Sequence, residues 1–162
     1  GTKETGLSRV GKNCLIMAYT HVAHDVTVGD NCIIANSVQM AGHVTIDNYV
    51  VIGGLTAVHQ FCRVGAYAMI GAGFKITKDV PPFVLAGKEP IKYSGLNVVG
   101  LRRRGFSNDE INSIKTAYTY LYNSGMNVTQ AIEKIKKEYH EEPNVKKILE
   151  FITGSKRGII GK

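Results

Sequence analysis

The chain has 162 residues, 44% hydrophobic and 20% charged. It shows no apolar run near the ~20 residues a membrane helix needs and no basic-then-apolar leader, so it is expected to be globular, outside the membrane and not exported. A net charge of +7 and a pI near 9.3 suit an anionic partner, but the absence of tryptophan and of interleaved aromatic and basic residues in the first half argues against nucleic acid.

From Val10 the chain keeps a six-residue period. Val10, Ile16, Val22, Val28, Ile34, Met40, Ile46, Ile52, Val58, Val64, Ile70 and Ile76 open twelve successive hexads. At a hydrophobic fraction of 44%, twelve in a row has a chance of about 5 × 10⁻⁵. The next residue is usually small (Gly11, Ala23, Gly29, Ala35), and the fifth place is apolar or small (Val26, Val38, Val44, Val50). Neither a helix nor an ordinary strand has this period. It predicts a prism of short parallel strands, three hexads per coil, with the aliphatic residue pointing inward and the small residue easing a corner. An echo every 18 residues, "VGKNC" at 10, "VGDNC" at 28, "IDNYV" at 46 and "VGAYA" at 64, supports three hexads per coil. Residues 10–81 are thus expected as four uninterrupted coils. Cys14, Cys32 and Cys62 fall on the inward fifth place and form no CxxC pair. They are expected as reduced, buried thiols of a cytoplasmic protein rather than nucleophiles.

The shaft, residues 1–83, is expected to stop at "DVPPF", where two prolines cannot continue a strand ladder. Residues 84–106 are read as an irregular connector rich in Gly, Lys and Arg. Residues 107–162 are read as a helical unit. Ser107-Asn-Asp-Glu110 has the form of a capping box and is followed by Ile111, Ile114, Tyr118 and Leu121 at helical spacing. A second helix is expected from Thr129 to His140, and a third from Pro143 to Gly154.

Stacked coils bring residues 18 apart above one another at ~4.8 Å. This lines up His24, Gly42, Gln60 and Lys78 in one column, and Asp25, His43, Phe61 and Asp79 in the next. Three histidines distant in sequence (His24, His43 and His59) then share one ridge, with Asp25 beside His24 and beneath His43. His21 lies four places before His43's column and is less clearly part of it. Such a ridge suits acid–base chemistry or metal ligation.

At these residues the chain resembles a known family. "HVAHD", "AGHV", "GGLTAVHQF", "DVPPFV" and "GLNVVGLRRRGF" resemble the acyl-carrier-protein-dependent UDP-N-acetylglucosamine O-acyltransferases, which open lipid A synthesis, over nearly the whole chain. The resemblance implies a left-handed parallel β-helix followed by a small C-terminal helical domain, assembled as a homotrimer with active sites between subunits. It implies transfer of an (R)-3-hydroxyacyl chain from an acidic acyl carrier protein to the sugar 3-hydroxyl. No cofactor or metal is held by the protein; the donor brings its own phosphopantetheine arm. By matching motif His24 is the general base, Asp25 orients it, and the Gly42 N–H stabilises the oxyanion. His21, His43, His59 and Gln60 match residues at the sugar, and Asn97, Arg103 and Arg104 match the nucleotide end. Ala72, with Met69 near it, matches a ruler for acyl length. Family members carry further coils before the point matching Gly1, including an aspartate and a lysine at the nucleotide, so this chain is expected to be a shortened form. The alternatives are the sister N-acyltransferase, a γ-carbonic-anhydrase-like zinc enzyme using the histidines, and an inactive trimeric scaffold.

Overall fold

The computed structural model describes residues 6–139 and 141–162; His140, placed by sequence at the end of a helix, lies outside them. Twelve two-residue strands run in chain order: β1 (Arg9–Val10), β2 (Leu15–Ile16), β3 (His21–Val22), β4 (Thr27–Val28), β5 (Ile33–Ile34), β6 (Gln39–Met40), β7 (Thr45–Ile46), β8 (Val51–Ile52), β9 (Ala57–Val58), β10 (Arg63–Val64), β11 (Met69–Ile70) and β12 (Lys75–Ile76). Every one ends on the aliphatic residue that opens a hexad. Each of the first nine pairs in parallel with the strand 18 residues on, as Val10 with Val28 and Ile16 with Ile34. Three sheets result. The first holds β1, β4, β7 and β10, the second β2, β5, β8 and β11, and the third β3, β6, β9 and β12. The prism is a left-handed parallel β-helix.

The inward aliphatic residues make the core. Val28, Ile34, Met40, Ile46, Ile52 and Val64 are at most 2% exposed, and burying each such side chain contributes roughly 1.5–3 kcal/mol. In the first coil the same place is open: Val10 is 47% and Ile16 37% exposed. Burial pushes the thiols of Cys32 and Cys62 up to about 11, which leaves them protonated and inert near neutrality.

The corners turn at a different residue from the one expected. The backbone enters the left-handed region two residues after the small one, at Asn13, Tyr19, Asp25, Asn31, Ser37, His43, Tyr49, Leu55, Phe61 and Tyr67, with φ between 54° and 64°. None of these is glycine. The small residues answer to stacking instead: a Cβ on Gly29 would lie 2.7 Å from the Asn48 nitrogen and 2.8 Å from the Asp47 carbonyl carbon in the coil above.

The top of the shaft departs from the sequence reading in two ways. The last corner is two residues short, so Val80 bridges Val64. Asp79 therefore leaves the column of His43 and Phe61, turns inward and becomes buried. Nor do Pro81 and Pro82 end the ladder. They sit in a corner, flanked by the bonds Val80 N–H to Arg63 O and Phe83 N–H to Ala66 O. Beyond them β13 (Val84–Gly87) continues the second sheet in parallel with β11, and β14 (Lys92–Leu96) returns antiparallel to β13. A short helix α1 (Val98–Arg103) follows. Residues 84–103 are thus mostly ordered by sheet and helix rather than irregular.

Helices α2 (Asn108–Asn123), α3 (Val128–Tyr139) and α4 (Pro143–Thr153) form the expected bundle. The Ser107 capping box is made in both directions. No helix among the described residues is long and apolar enough to cross a membrane. The tail then straps back over the prism: Asp79 N–H donates to Gly158 O, and Ile160 N–H donates to Asp79 O. Tyr122 Oη donates to Ile160 O, which ties the tail to the bundle as well.

Candidate functional site

The histidines stand on the prism edge between the third and first sheets, where β3, β6 and β9 turn into β4, β7 and β10. Asp25 is the centre of the cluster. Its carboxylate is 2% exposed, with Oδ2 3.0 Å from His24 Nδ1 and 3.9 Å from His43 Nε2, and Oδ1 accepting the Gly6 N–H at 3.0 Å. A carboxylate so held fixes the imidazole tautomer: the Nδ1–H of His24 donates to it, which leaves Nε2 as the basic nitrogen. The His24 side chain is 44% exposed. The left-handed backbone of Asp25 and His43 is shared by every other corner and is architecture, not a mark of the site.

Gly42, one coil up from His24, lies against the His24 ring. A Cβ there would stand 2.3 Å from Cε1 and 2.6 Å from Nε2, so only glycine leaves the imidazole in place. The carbonyl of Gly42 accepts the Phe61 N–H, whereas its own N–H meets no acceptor among the described residues. A buried amide proton thus stands beside the basic nitrogen. Above them His43 stacks on Phe61 with ring centroids 4.6 Å apart and meets His24 edge-on at 5.1 Å. Phe61 is a site residue that the sequence reading leaves out. Its place in the column above His43 is the signal that could have found it.

His59 and Gln60 sit one coil higher on the same edge, both exposed, and His59 Nδ1 lies 3.1 Å from the Gln60 carbonyl oxygen. His21 is exposed on the third sheet, in β3. Among the described residues, the groups capable of sharing a cation are His24, Asp25 and His43, whose donor atoms lie within 4.8 Å of one another; His59 is not among them.

The other candidate residues stand elsewhere. Met69 is exposed on the second sheet, and Ala72 is exposed on the edge between the second and third sheets. Asn97 belongs to the edge between the first and second sheets. It is buried, caps α1 by accepting the Gly100 N–H, and donates to Tyr67 O at 3.0 Å. The Arg104 guanidinium lies 4.9 Å over the Tyr49 ring on that edge, with Arg103 exposed beside it. Within one chain, therefore, the histidines, Ala72 and the arginines occupy three different edges of a triangular prism.

Comparison with known proteins locates the chain among others. Residues 79–160 match the family described as UDP N-acetylglucosamine O-acyltransferase, domain 2, and residues 8–42 match the bacterial transferase hexapeptide (six repeats) family. An acyl-[acyl-carrier-protein]–UDP-N-acetylglucosamine O-acyltransferase of Thiobacillus denitrificans is 42% identical over 158 residues, covering 98% of this chain and 61% of the relative. The protein of that name from Nautilia profundicola is 46% identical, again over 98% of this chain and 61% of its own length. Among solved structures, the UDP-N-acetylglucosamine acyltransferase of Francisella novicida superposes with a TM-score of 0.95 at 38% identity, over 98% of this chain and 58% of that one. That of Bacteroides fragilis gives 0.88 at 49% identity, over 91% and 58%. The chain spans about three fifths of the length of the curated relatives it matches.

Proposed function

Because the chain belongs to the UDP-N-acetylglucosamine O-acyltransferase family, we propose that it transfers an (R)-3-hydroxyacyl group from acyl carrier protein to the 3-hydroxyl of UDP-N-acetylglucosamine, the opening reaction of lipid A synthesis. The observation that carries this reading is the triad of a carboxylate-held imidazole, His24 on Asp25, against Gly42, whose amide meets no acceptor among the described residues. The chemistry follows. His24 Nε2 takes the proton from the sugar hydroxyl as its oxygen attacks the thioester carbonyl. Asp25 stabilises the imidazolium that forms, and the Gly42 N–H donates to the oxyanion of the tetrahedral intermediate. The intermediate collapses with loss of the thiolate, which takes the proton from His24. No charge is left behind, and no metal or bound cofactor enters.

A homotrimer supports the scattered geometry. Only a neighbouring subunit can bring Arg103, Arg104 and the Ala72 column to a histidine edge, because one prism holds them on separate edges. In that arrangement His43, His59 and Gln60 line the sugar, the arginine forks meet the diphosphate, and Ala72, with Met69, sets the length of the acyl tail. The compartment of the reaction is the cytoplasm, where the carrier protein and nucleotide sugar occur.

The test is turnover of UDP-N-acetylglucosamine and (R)-3-hydroxyacyl carrier protein by the parent and His24→Ala. The variant should lose about 10²–10⁴ of the rate at unchanged melting temperature. Retention of a tenth or more of the parent rate would remove His24 as the base. Stoichiometric zinc in the purified protein would instead favour a metal centre on His24, Asp25 and His43.

A further inference from the structure

On the edge between the first and second sheets, a stack of rings ends against a cation. Tyr49 stacks on Tyr67 with centroids 4.7 Å apart and planes 8° apart, and Tyr67 stacks on Phe83 at 5.7 Å. Phe106 closes the group, edge-on to Tyr67 at 5.0 Å and to Phe83 at 5.9 Å. The Tyr49 ring is thus part of a packed group rather than a loose side chain. The same rings anchor the arginine run. Asn97 N–H donates to Phe83 O, Asn97 Nδ2 donates to Tyr67 O, and Phe106 N–H donates to Leu101 O, with Leu101 itself fully buried. The backbone from Leu101 to Phe106 is therefore tied down on both sides, while Arg102, Arg103 and Arg104 between them are exposed.

Among these three, one guanidinium rests on a ring: Arg104 Cζ lies 4.9 Å from the Tyr49 centroid. Burial raises the Tyr67 hydroxyl above its ordinary pKa of 10.0, Tyr49 adds to the rise, and the charge of Arg104 opposes it, so the cation acts on both tyrosines. Asp47, the nearest carboxylate to Tyr49 in sequence, feels Arg63 instead. No ion pair joins Arg104 to a carboxylate among the described residues. The difference matters chemically. A carboxylate would fix the guanidinium and cancel its charge. A ring holds it through the quadrupole of the π-system and leaves the charge uncancelled.

We propose that Tyr49 is the positioning residue for Arg104, holding its guanidinium ready for the diphosphate of the nucleotide sugar. The proposal rests on the acyltransferase reading, in which Arg104 meets that diphosphate. A long exposed arginine gives up much rotamer freedom when it grips an anion, and a head already placed on a ring has given up part of it beforehand. The planar fork of N–H donors then meets two phosphate oxygens at once. The ring is what does this, so phenylalanine at position 49 serves as well as tyrosine and leucine does not.

Equilibrium binding of UDP-N-acetylglucosamine to the parent, Tyr49→Leu, Tyr49→Phe, Arg104→Met and the double variant Tyr49→Leu/Arg104→Met tests this. Tyr49→Leu should weaken binding roughly three- to tenfold, and Tyr49→Phe should bind as the parent does. With Arg104 already replaced by methionine, Tyr49→Leu should cost nothing more. Any loss of packing in the ring stack is common to both backgrounds, so the comparison separates positioning from folding. In turnover, Tyr49→Leu should raise KM for UDP-N-acetylglucosamine by the same factor and leave kcat and the KM of the acyl donor unchanged. Equal losses from Tyr49→Leu with and without Arg104 would overturn the proposal, as would a Tyr49→Phe variant as weak as Tyr49→Leu, or a raised KM for the acyl donor alone. A parent that binds UDP-N-acetylglucosamine without transferring to it would sink the acyltransferase reading on its own, and the binding cycle would still decide the role of Tyr49. A parent that does not bind the nucleotide sugar at all overturns that role.

Discussion

Two edges of the same prism are built from the same repeat and differ in how they use it. On the edge between the first and second sheets, the side chain of one coil closes the backbone of the coil below. Lys12 N–H donates to Asp30 Oδ1 and Asp30 N–H to Asn48 Oδ1, both at 2.7 Å, and Tyr49, Tyr67 and Phe83 stack in a ladder above Asn31's turn. On the edge between the third and first sheets, the equivalent places hold His24, Gly42 and Gln60. There Gly42 contributes no side chain and its N–H meets no acceptor among the described residues, while the acid of the cluster, Asp25, divides its carboxylate between two imidazoles and the Gly6 N–H. The first edge spends its polar groups on the fold. The second keeps the Gly42 amide out of the hydrogen bonds of the described residues and sets a half-exposed imidazole beside it, an arrangement suited to a substrate.

Alanine at one glycine of each edge should separate the two roles most sharply. At Gly42 the atoms nearest the added methyl all belong to the His24 ring, a half-exposed side chain that can swing aside. The fold should survive, but the base moves by about an ångström, and misplacement of that order costs on the order of 10²-fold in rate. At Gly29 the methyl meets backbone of the next coil, which cannot move alone. Gly29→Ala should cost about 1–3 kcal/mol of stability and leave turnover per folded molecule unchanged. Melting temperatures and kcat of the two variants, side by side, check this. If both variants lost stability and neither lost specific activity, the edges would not differ as described.

The comparison also marks how far the sequence can be read. A period that repeats twelve times is a strong signal, because burial of the aliphatic residue is the same physical demand in every coil. Strand positions, pairing register and the buried Cys32 and Cys62 follow from it, whereas Cys14, in the open first coil, is only partly buried. The ridge is legible for the same reason: equal coils convert sequence distance into height, so His24, Gly42 and His43 meet as counted. The counting fails where a coil is not equal. The corner after Ile76 is two residues short, which moves Asp79 off the ridge, and nothing in a periodic count announces a deletion at its last member. The hairpin of β13 and β14 escapes the reading because Pro81 and Pro82 look like a ladder's end, although prolines in a corner need no N–H bond. Asn97 matches the nucleotide end by motif, and its amide proves to be occupied at both ends within the chain, by Gly100 and Tyr67.

A smaller effect tests the structural edge by itself. Asn48→Ala removes the acceptor of the Asp30 N–H, an exposed rung, and should cost about 0.5–1.5 kcal/mol. Gln60→Ala changes the corresponding place on the histidine edge, where no side chain closes the coil below, and should leave the melting temperature where it was. Thermal unfolding of the two variants is the measurement. A loss for Gln60→Ala as large as for Asn48→Ala would mean that the histidine edge is stabilised by rungs after all.

The smallest effect concerns an acid at the structural edge. Asp47 takes the place after Ile46 where other coils carry Gly11, Gly29 and Gly65, so a carboxyl is packed where the stack favours a small residue. Burial raises its pKa above the ordinary 3.8, and the Arg63 guanidinium only partly opposes the shift. An acid with a raised folded pKa binds its proton more tightly in the native state than in the unfolded chain. Stability from this group is therefore greatest below 3.8 and declines as pH climbs from there through the raised value. The variant Asp47→Asn would keep the shape and stay neutral at every pH. The difference in melting temperature, variant minus parent, should thus be more positive at about pH 7 than at about pH 4. A difference that does not change with pH would show that Arg63 compensates the buried charge in full, and that this edge tolerates an ionised carboxylate as easily as the histidine edge tolerates Asp25.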